Sequence, residues 1–131
     1  MNDYEELQGL MQRYARAIDD RDIPALAMLF HPEAEISGAA RGMSSLAEWL
    51  DAMSAPRAFP QSMHMIGCPL IEFREDGSGA YLDTYAVVHQ LSDPKSGAND
   101  LTLGIRYLDD AVVHDGRWVV KKRVANTLWM R

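Results

Sequence analysis

The stretch LTLGIRYLDDAVVHDGRWVVKKRVANTLW, residues 101–129, decides the fold. Leu101 to Val113 and Arg117 to Trp129 are long runs rich in β-branched and aromatic residues, which favour a pleated, half-buried surface. Between them, Asp115-Gly116 is a two-residue hairpin signal, because both central positions of such a turn need a positive φ. The pair therefore reads as two long antiparallel strands. Upstream, Gly79 to Leu91 and Met63 to Phe73 repeat the pattern, separated by the turn signal Asp76-Gly77. The segment Ser92 to Asn99, with Pro94 and Gly97, reads as the longer connection in the middle.

The first half has a different period. Tyr4, Leu7, Leu10, Met11, Tyr14, Ala17 and Ile18 recur at helical spacing after an Asp3/Glu6 capping signal, which predicts a helix over about residues 4–19. Asp22 ahead of Pro24 predicts a second, short helix through Leu26 to Phe30, stopping at His31 and Pro32 and packed on the first as a hairpin. A short strand over residues 34–37 and a Gly-rich stretch follow. Ser44 or Ser45 then caps a third helix carrying Leu46, Trp49, Leu50 and Met53. Helices in front of long antiparallel strands give an α+β class, and strands of about 12 residues twist too strongly to stay flat. A curved antiparallel sheet wrapped around helices encloses a pocket.

Composition narrows the function. The chain has 131 residues, 47% of them hydrophobic, a net charge of −6 and one cysteine. Length and the absence of repeats or linkers predict a single domain over residues 1–131. An acidic balance, with no basic run longer than Lys121 to Arg123, argues against nucleic acid as a partner. Cys68 alone forms no internal disulfide, which favours the cytoplasm. The acidic N-terminus and the lack of any apolar run near about 20 residues predict neither a signal peptide nor a membrane span. The four histidines show no metal-ligand spacing and no phosphate-cradling glycine loop appears, so neither metal nor cofactor is implied.

Several residues carry chemistry. Asp19 ends the first helix, where the dipole disfavours a carboxylate by up to about 1 kcal/mol. His64 opens a strand after Pro60 and is placed to receive that carboxylate on one ring nitrogen, which fixes the tautomer and leaves the other nitrogen as a base. Read singly, Asp19 is equally a carboxylate capping the next turn and His64 a partly buried strand-edge histidine. His89 shares an alternation face with Tyr81, Asp83, Tyr85 and Val87, opposite Ala80, Leu82, Thr84, Ala86 and Val88, and one of these faces must line the cavity. Arg106 with Asp109 reads as a cross-strand ion pair or a dimer contact. Trp49, Trp118 and Trp129 read as core or pocket wall, and Cys68 as a small buried hydrophobe.

Tyr14-Ala15-Arg16-Ala17-Ile18-Asp19 with Asp22 and Leu26 to Phe30, then His64-Met65-Ile66-Gly67, Arg106-Tyr107-Leu108-Asp109 and Asp115-Gly116-Arg117-Trp118 through Arg123, together resemble the SnoaL-like branch of the nuclear-transport-factor-2-like superfamily. The resemblance implies a cone-shaped α+β barrel of cystatin-like type, usually dimerised through the sheet. It implies a cofactor-independent lyase or isomerase acting on a small apolar cyclic or aromatic-derived molecule. Asp19 and His64 match the proton-abstracting pair of the family's dehydratases and dehydrochlorinases. His89 matches a second pocket histidine of the dehydratase pattern, its rival reading a solvent-side histidine near the strand end, and Arg123 an arginine that stabilises a departing anion, its rival reading an ion pair with one of the many acidic residues. Tyr14 stands where the dehydrochlorinase has lysine, and Ile18 where the dehydratase has tyrosine, so neither reaction carries over directly. Tyr14, His89, Arg123 and Trp49 are the ligand-facing candidates. The competing reading is a non-catalytic small-molecule-binding protein on the same cone, since one scaffold hosts both.

Overall fold

The computed structural model describes residues 2–38, 41–55, 60–92 and 99–131, without the Arg41 side chain. The first helix, α1 (Asp3–Asp19), is capped by Asn2, whose side chain accepts from the Glu5 N–H at 2.9 Å; the cap falls one residue before the expected Asp3. Its buried stripe is Leu7, Leu10, Met11, Tyr14, Ala15, Ala17 and Ile18, the predicted apolar face with Ala15 added. A Schellman end follows: the Asp22 N–H reaches the Ala17 carbonyl at 3.0 Å and the Arg21 N–H reaches Ile18 at 3.3 Å. Arg21 takes the left-handed position at φ 56° that usually goes to glycine. The chain reverses there, and Asp22 at once caps α2 (Ile23–Met28) by accepting from the Ala25 N–H at 3.1 Å.

Helix α2 ends sooner than expected, because Phe30 and His31 already belong to β1 (Phe30–Gly38). Pro32 is tolerated inside that strand where the pairing with the C-terminal strand shifts register between Phe30 and Glu35. The stretch expected to be irregular contains β2 (Arg41–Ser45), and residues 39–40 of it lie outside the described residues. Ser45 caps α3 (Leu46–Ser54) in a full capping box with Glu48. The single strand expected over Met63 to Phe73 is two, β3 (Gln61–Ile66) and β4 (Leu70–Phe73), split at Gly67-Cys68-Pro69. Both pair with β5 (Ala80–Leu91), β3 along its far half and β4 along its near half. Cys68 sits in that break, exposed, and is no buried hydrophobe.

β5, β6 (Leu101–His114) and β7 (Arg117–Met130) form the antiparallel centre. The β6–β7 turn has both Asp115 (φ 51°) and Gly116 (φ 77°) in the positive-φ region, the geometry that Asp-Gly predicts. Most of the connection expected between β5 and β6, residues 93–98, lies outside the described residues. The sheet runs β2-β1-β7-β6-β5-β3, with β4 beside β3 on β5. It is mixed rather than antiparallel throughout, because β1 joins β7 in parallel, and it stays open as a curved cone rather than closing. Register shifts at Gly104/Ile105 and Asp110/Ala111 bend it. Its concave face and the three helices share one core, with Leu7, Leu26, Leu82, Val88 and Val120 nearly inaccessible.

Candidate active site

The Schellman turn fixes where Asp19 points. As the last residue of α1 it cannot cap α2, a role Asp22 holds, and its carboxylate is turned toward β3 instead. There Oδ1 accepts from the Ser62 hydroxyl at 2.9 Å and lies 2.6 Å from His64 Nδ1, while Oδ2 accepts from the His64 backbone N–H at 2.9 Å. Three donors compensate a negative charge at the unfavourable end of a helix. The His64 side chain is 8% exposed and that of Asp19 21%. An Nδ1–H held on the carboxylate makes Nε2 the basic nitrogen of the ring. Ser62, not foreseen as a site residue, lies two positions before His64 on the same strand face, so the alternation carried its signal.

Tyr14 backs the histidine, its ring edge-on to His64 at 6.0 Å and to Tyr107 at 5.6 Å. Behind it lies Arg123, its guanidinium carbon 4.1 Å from the Tyr14 ring centre and 4.4 Å from that of Tyr107. Arg123 Nε and Nη2 donate to the two Asp109 oxygens at 2.7 and 2.9 Å, with both side chains almost wholly buried. Burial pulls this guanidinium down, but the Asp109 carboxylate outweighs it and holds the group above its ordinary value. Burial, then the hydrogen-bonded Tyr14, push the Tyr107 phenol up, so it stays protonated. Trp49 is buried against Phe30 at 5.2 Å, part of the core wall.

Two expectations are corrected. His64 stands opposite Val88 and His89 opposite Met63, so the two histidines project from opposite faces of the sheet. His89 bonds Thr102 Oγ1 at 3.1 Å on the convex side and is not a donor inside the cone. Arg106 and Asp109, three apart on one strand, also fall on opposite faces. Arg106 pairs with Asp83, holding that carboxyl below the usual range, and Asp109 pairs with Arg123. Among the described residues no cluster of three or more His, Cys, Asp or Glu suits a metal ion, and no helix is long and apolar enough to cross a membrane.

A mixed, curved cone sheet with helices in its mouth and a carboxylate-histidine pair inside defines the class. The SnoaL-like domain family matches residues 1–124, and the chain belongs to that family. Among solved structures, a scytalone dehydratase candidate from Novosphingobium aromaticivorans superposes with a TM-score of 0.81 at 21% identity, over 97% of this chain and 85% of the other. A type 2 hexachlorocyclohexane dehydrochlorinase gives 0.83 at 15% identity, over 97% and 86%. An NTF2-like protein with a cystatin-like fold, from Novosphingobium aromaticivorans, gives 0.82 at 20% identity, over 96% and 82%. No curated protein matches the sequence. At these identities the structural likeness speaks for the fold.

Proposed function

We propose that the protein is a single-domain, cofactor-independent lyase or isomerase that removes a carbon-bound proton from a small apolar cyclic or aromatic-derived molecule. The observation that carries this is the 2.6 Å contact between Asp19 and His64 Nδ1, on a carboxylate already anchored by Ser62 and the strand backbone. His64 is the base through Nε2. Asp19 orients it and stabilises the imidazolium. Tyr14 positions the ring, and Arg123 acts through Tyr14. The test is hydrogen–deuterium exchange of simple cyclic ketones in D2O, followed by NMR, for the wild type, His64→Ala and Asp19→Asn. The wild type is expected to accelerate exchange and His64→Ala to lose about 10²-fold or more. Exchange surviving His64→Ala within about twofold overturns the base assignment.

One observation favours a second reading, a non-catalytic binder. With His89 outside the cone and Arg123 committed to Asp109, the dyad has fewer polar helpers than the sequence pattern suggested. That reading expects retained ligand affinity in both variants and no exchange by any of the three proteins.

We further propose a cytoplasmic homodimer joined through the convex sheet face. Met65, Leu70, Tyr85 and Trp129 stand exposed there. Among the charges of that face, Asp83 pairs with Arg106 and Asp110 with Arg74, and Glu72 and Lys122 offset each other in number. A patch whose charges balance in number, on a chain of net charge −6, is a surface on which two copies meet with less repulsion than elsewhere.

A further inference from the structure

On the helix side of the molecule, away from both the dyad and the convex face, α1, α2 and the start of β7 enclose an open groove of about 480 Å³. Its floor is apolar: Ala17, Leu29 and the edge of Trp118 are nearly buried, with Ala25 and the exposed Met28 forming a wall. Arginines stand around it, Arg13 and Arg16 from one face of α1 and Arg117 from the β-turn. Their partners are uneven. Arg16 is tied to Asp20 at 2.6 Å, and the Asp22 side chain is engaged as the α2 cap. Arg13 and Arg117 have no carboxylate partner among the described residues, and the Arg117 Nη2 instead meets the thioether of Met28 at 3.7 Å. A thioether is a weak acceptor for a guanidinium.

Two guanidinium groups without a carboxylate partner among the described residues, beside an apolar groove, are unexpected on a chain with 19 acidic and 13 basic side chains. The lining balances three guanidinium groups against Glu6, Asp20 and Asp22; Arg16 is taken by Asp20 and Asp22 accepts from the start of α2, so the donors of Arg13 and Arg117 are those left without a carboxylate among the described residues. A planar fork of donors suits a carboxylate, and a volume of this size suits a ring system. We propose that this groove is a second ligand site, independent of the dyad, which takes a small amphipathic monocarboxylate, its ring against Ala17, Leu29 and Trp118 and its carboxylate between Arg13 and Arg117. A single carboxylate on an apolar body supplies the acceptor that these two guanidinium groups lack.

The test is titration of naphthalene-2-carboxylate and its neutral analogue naphthalene-2-carboxamide, followed by saturation-transfer NMR and calorimetry. The acid is expected to bind about tenfold or more tighter than the amide, the difference a charged hydrogen-bond pair makes. Arg13→Gln and Arg117→Gln are each expected to weaken the acid about fivefold or more. Both side chains are exposed, so the variants should keep the wild-type melting temperature. His64→Ala is expected to leave the affinity unchanged, which separates the groove from the interior of the cone. Equal binding of acid and amide overturns the proposal, as does affinity unchanged in the Arg13/Arg117 double variant, affinity lost in His64→Ala, or no binding of the acid up to about 10 mM.

Discussion

Replacing Asp109 by asparagine removes the counter-charge of a guanidinium that has nowhere to go. The Asp109 side chain is 0% exposed and that of Arg123 2%, and Arg123 stays protonated because its pKa is raised, not lowered. Breaking one side of a buried pair costs about 3–5 kcal/mol, most of it the penalty of the stranded ion. The rings of Tyr14 and Tyr107 lie 4.1 and 4.4 Å from the guanidinium and offset part of that, so the low end is the better figure, about 3 kcal/mol. For a chain of this length that corresponds to a melting temperature lower by about 10–15 °C, read by calorimetry. Replacing both members by apolar side chains of similar volume should recover most of the loss, because no ion is then left buried. An Asp109→Asn midpoint within about 4 °C of the wild type would refute the reasoning, since the pair would then be worth about 1 kcal/mol or less.

Ser62→Ala deletes one of three donors to Asp19 and should slow proton exchange by about tenfold, the share of one hydrogen bond to a charged group, while leaving the fold intact. Gly104→Ala sets a methyl group where the Trp129 indole lies against the backbone, and denaturant unfolding should register a loss of about 1–3 kcal/mol. Burial, then Lys121 and His114, hold His31 below its ordinary value of 6.5, so the unfolded chain protonates first. The contribution of this residue is therefore complete above that pH and is lost as the pH falls below it; His31→Gln should flatten the decline of the denaturation midpoint below about pH 6.5. Tyr85→Glu, on the convex face, should leave a 14.7 kDa species in sedimentation at micromolar protein where the wild type sediments as a dimer. A wild type already at that mass ends the dimer proposal.

The parts of this fold that sequence made legible are those set by local chemistry. Asp22 and Ser45 cap the helices they were expected to cap, and Asp115-Gly116 makes the expected turn, because each acts on neighbours within a few residues. The parallel pairing of β1 with β7 left no such trace, since partners so far apart in the chain share no local pattern. The break at Gly67-Cys68-Pro69 was hidden by an apolar run that continues across it. In the site, helix end and strand start left Asp19 open as a cap and His64 as a strand-edge histidine, and the family resemblance is what paired them, while Ser62 was overlooked on the same face. His89 stayed open between the pocket and the solvent side because two alternation faces of β5 looked equally able to line a cavity, and only the pairing of His64 with Val88 settles which one does. Arg123 was open between a ligand contact and an ion pair with an acidic residue; it makes the ion pair, and its partner, Asp109, sits on the neighbouring strand at a register that the sequence does not state.

The parallel junction of β1 with β7 also sets the order in which the molecule can assemble. The Trp118 indole reaches back 115 positions to the Asp3 carboxylate, and the Val120 N–H reaches Leu29 at 2.9 Å, so the surroundings of the N-terminal helices, begun by β3 at Asp19, are completed only by the last strand. Contacts this distant along the chain carry a loop-closure cost that must be met before any of them stabilises the rest, and they slow folding. On the ribosome, α1 and α2 can pack on each other and on β3 early, but part of their apolar stripe waits for nearly the whole chain. During that interval they are open to chaperones and to aggregation. A circular permutant that moves β7 ahead of β1 would shorten the wait and should fold faster.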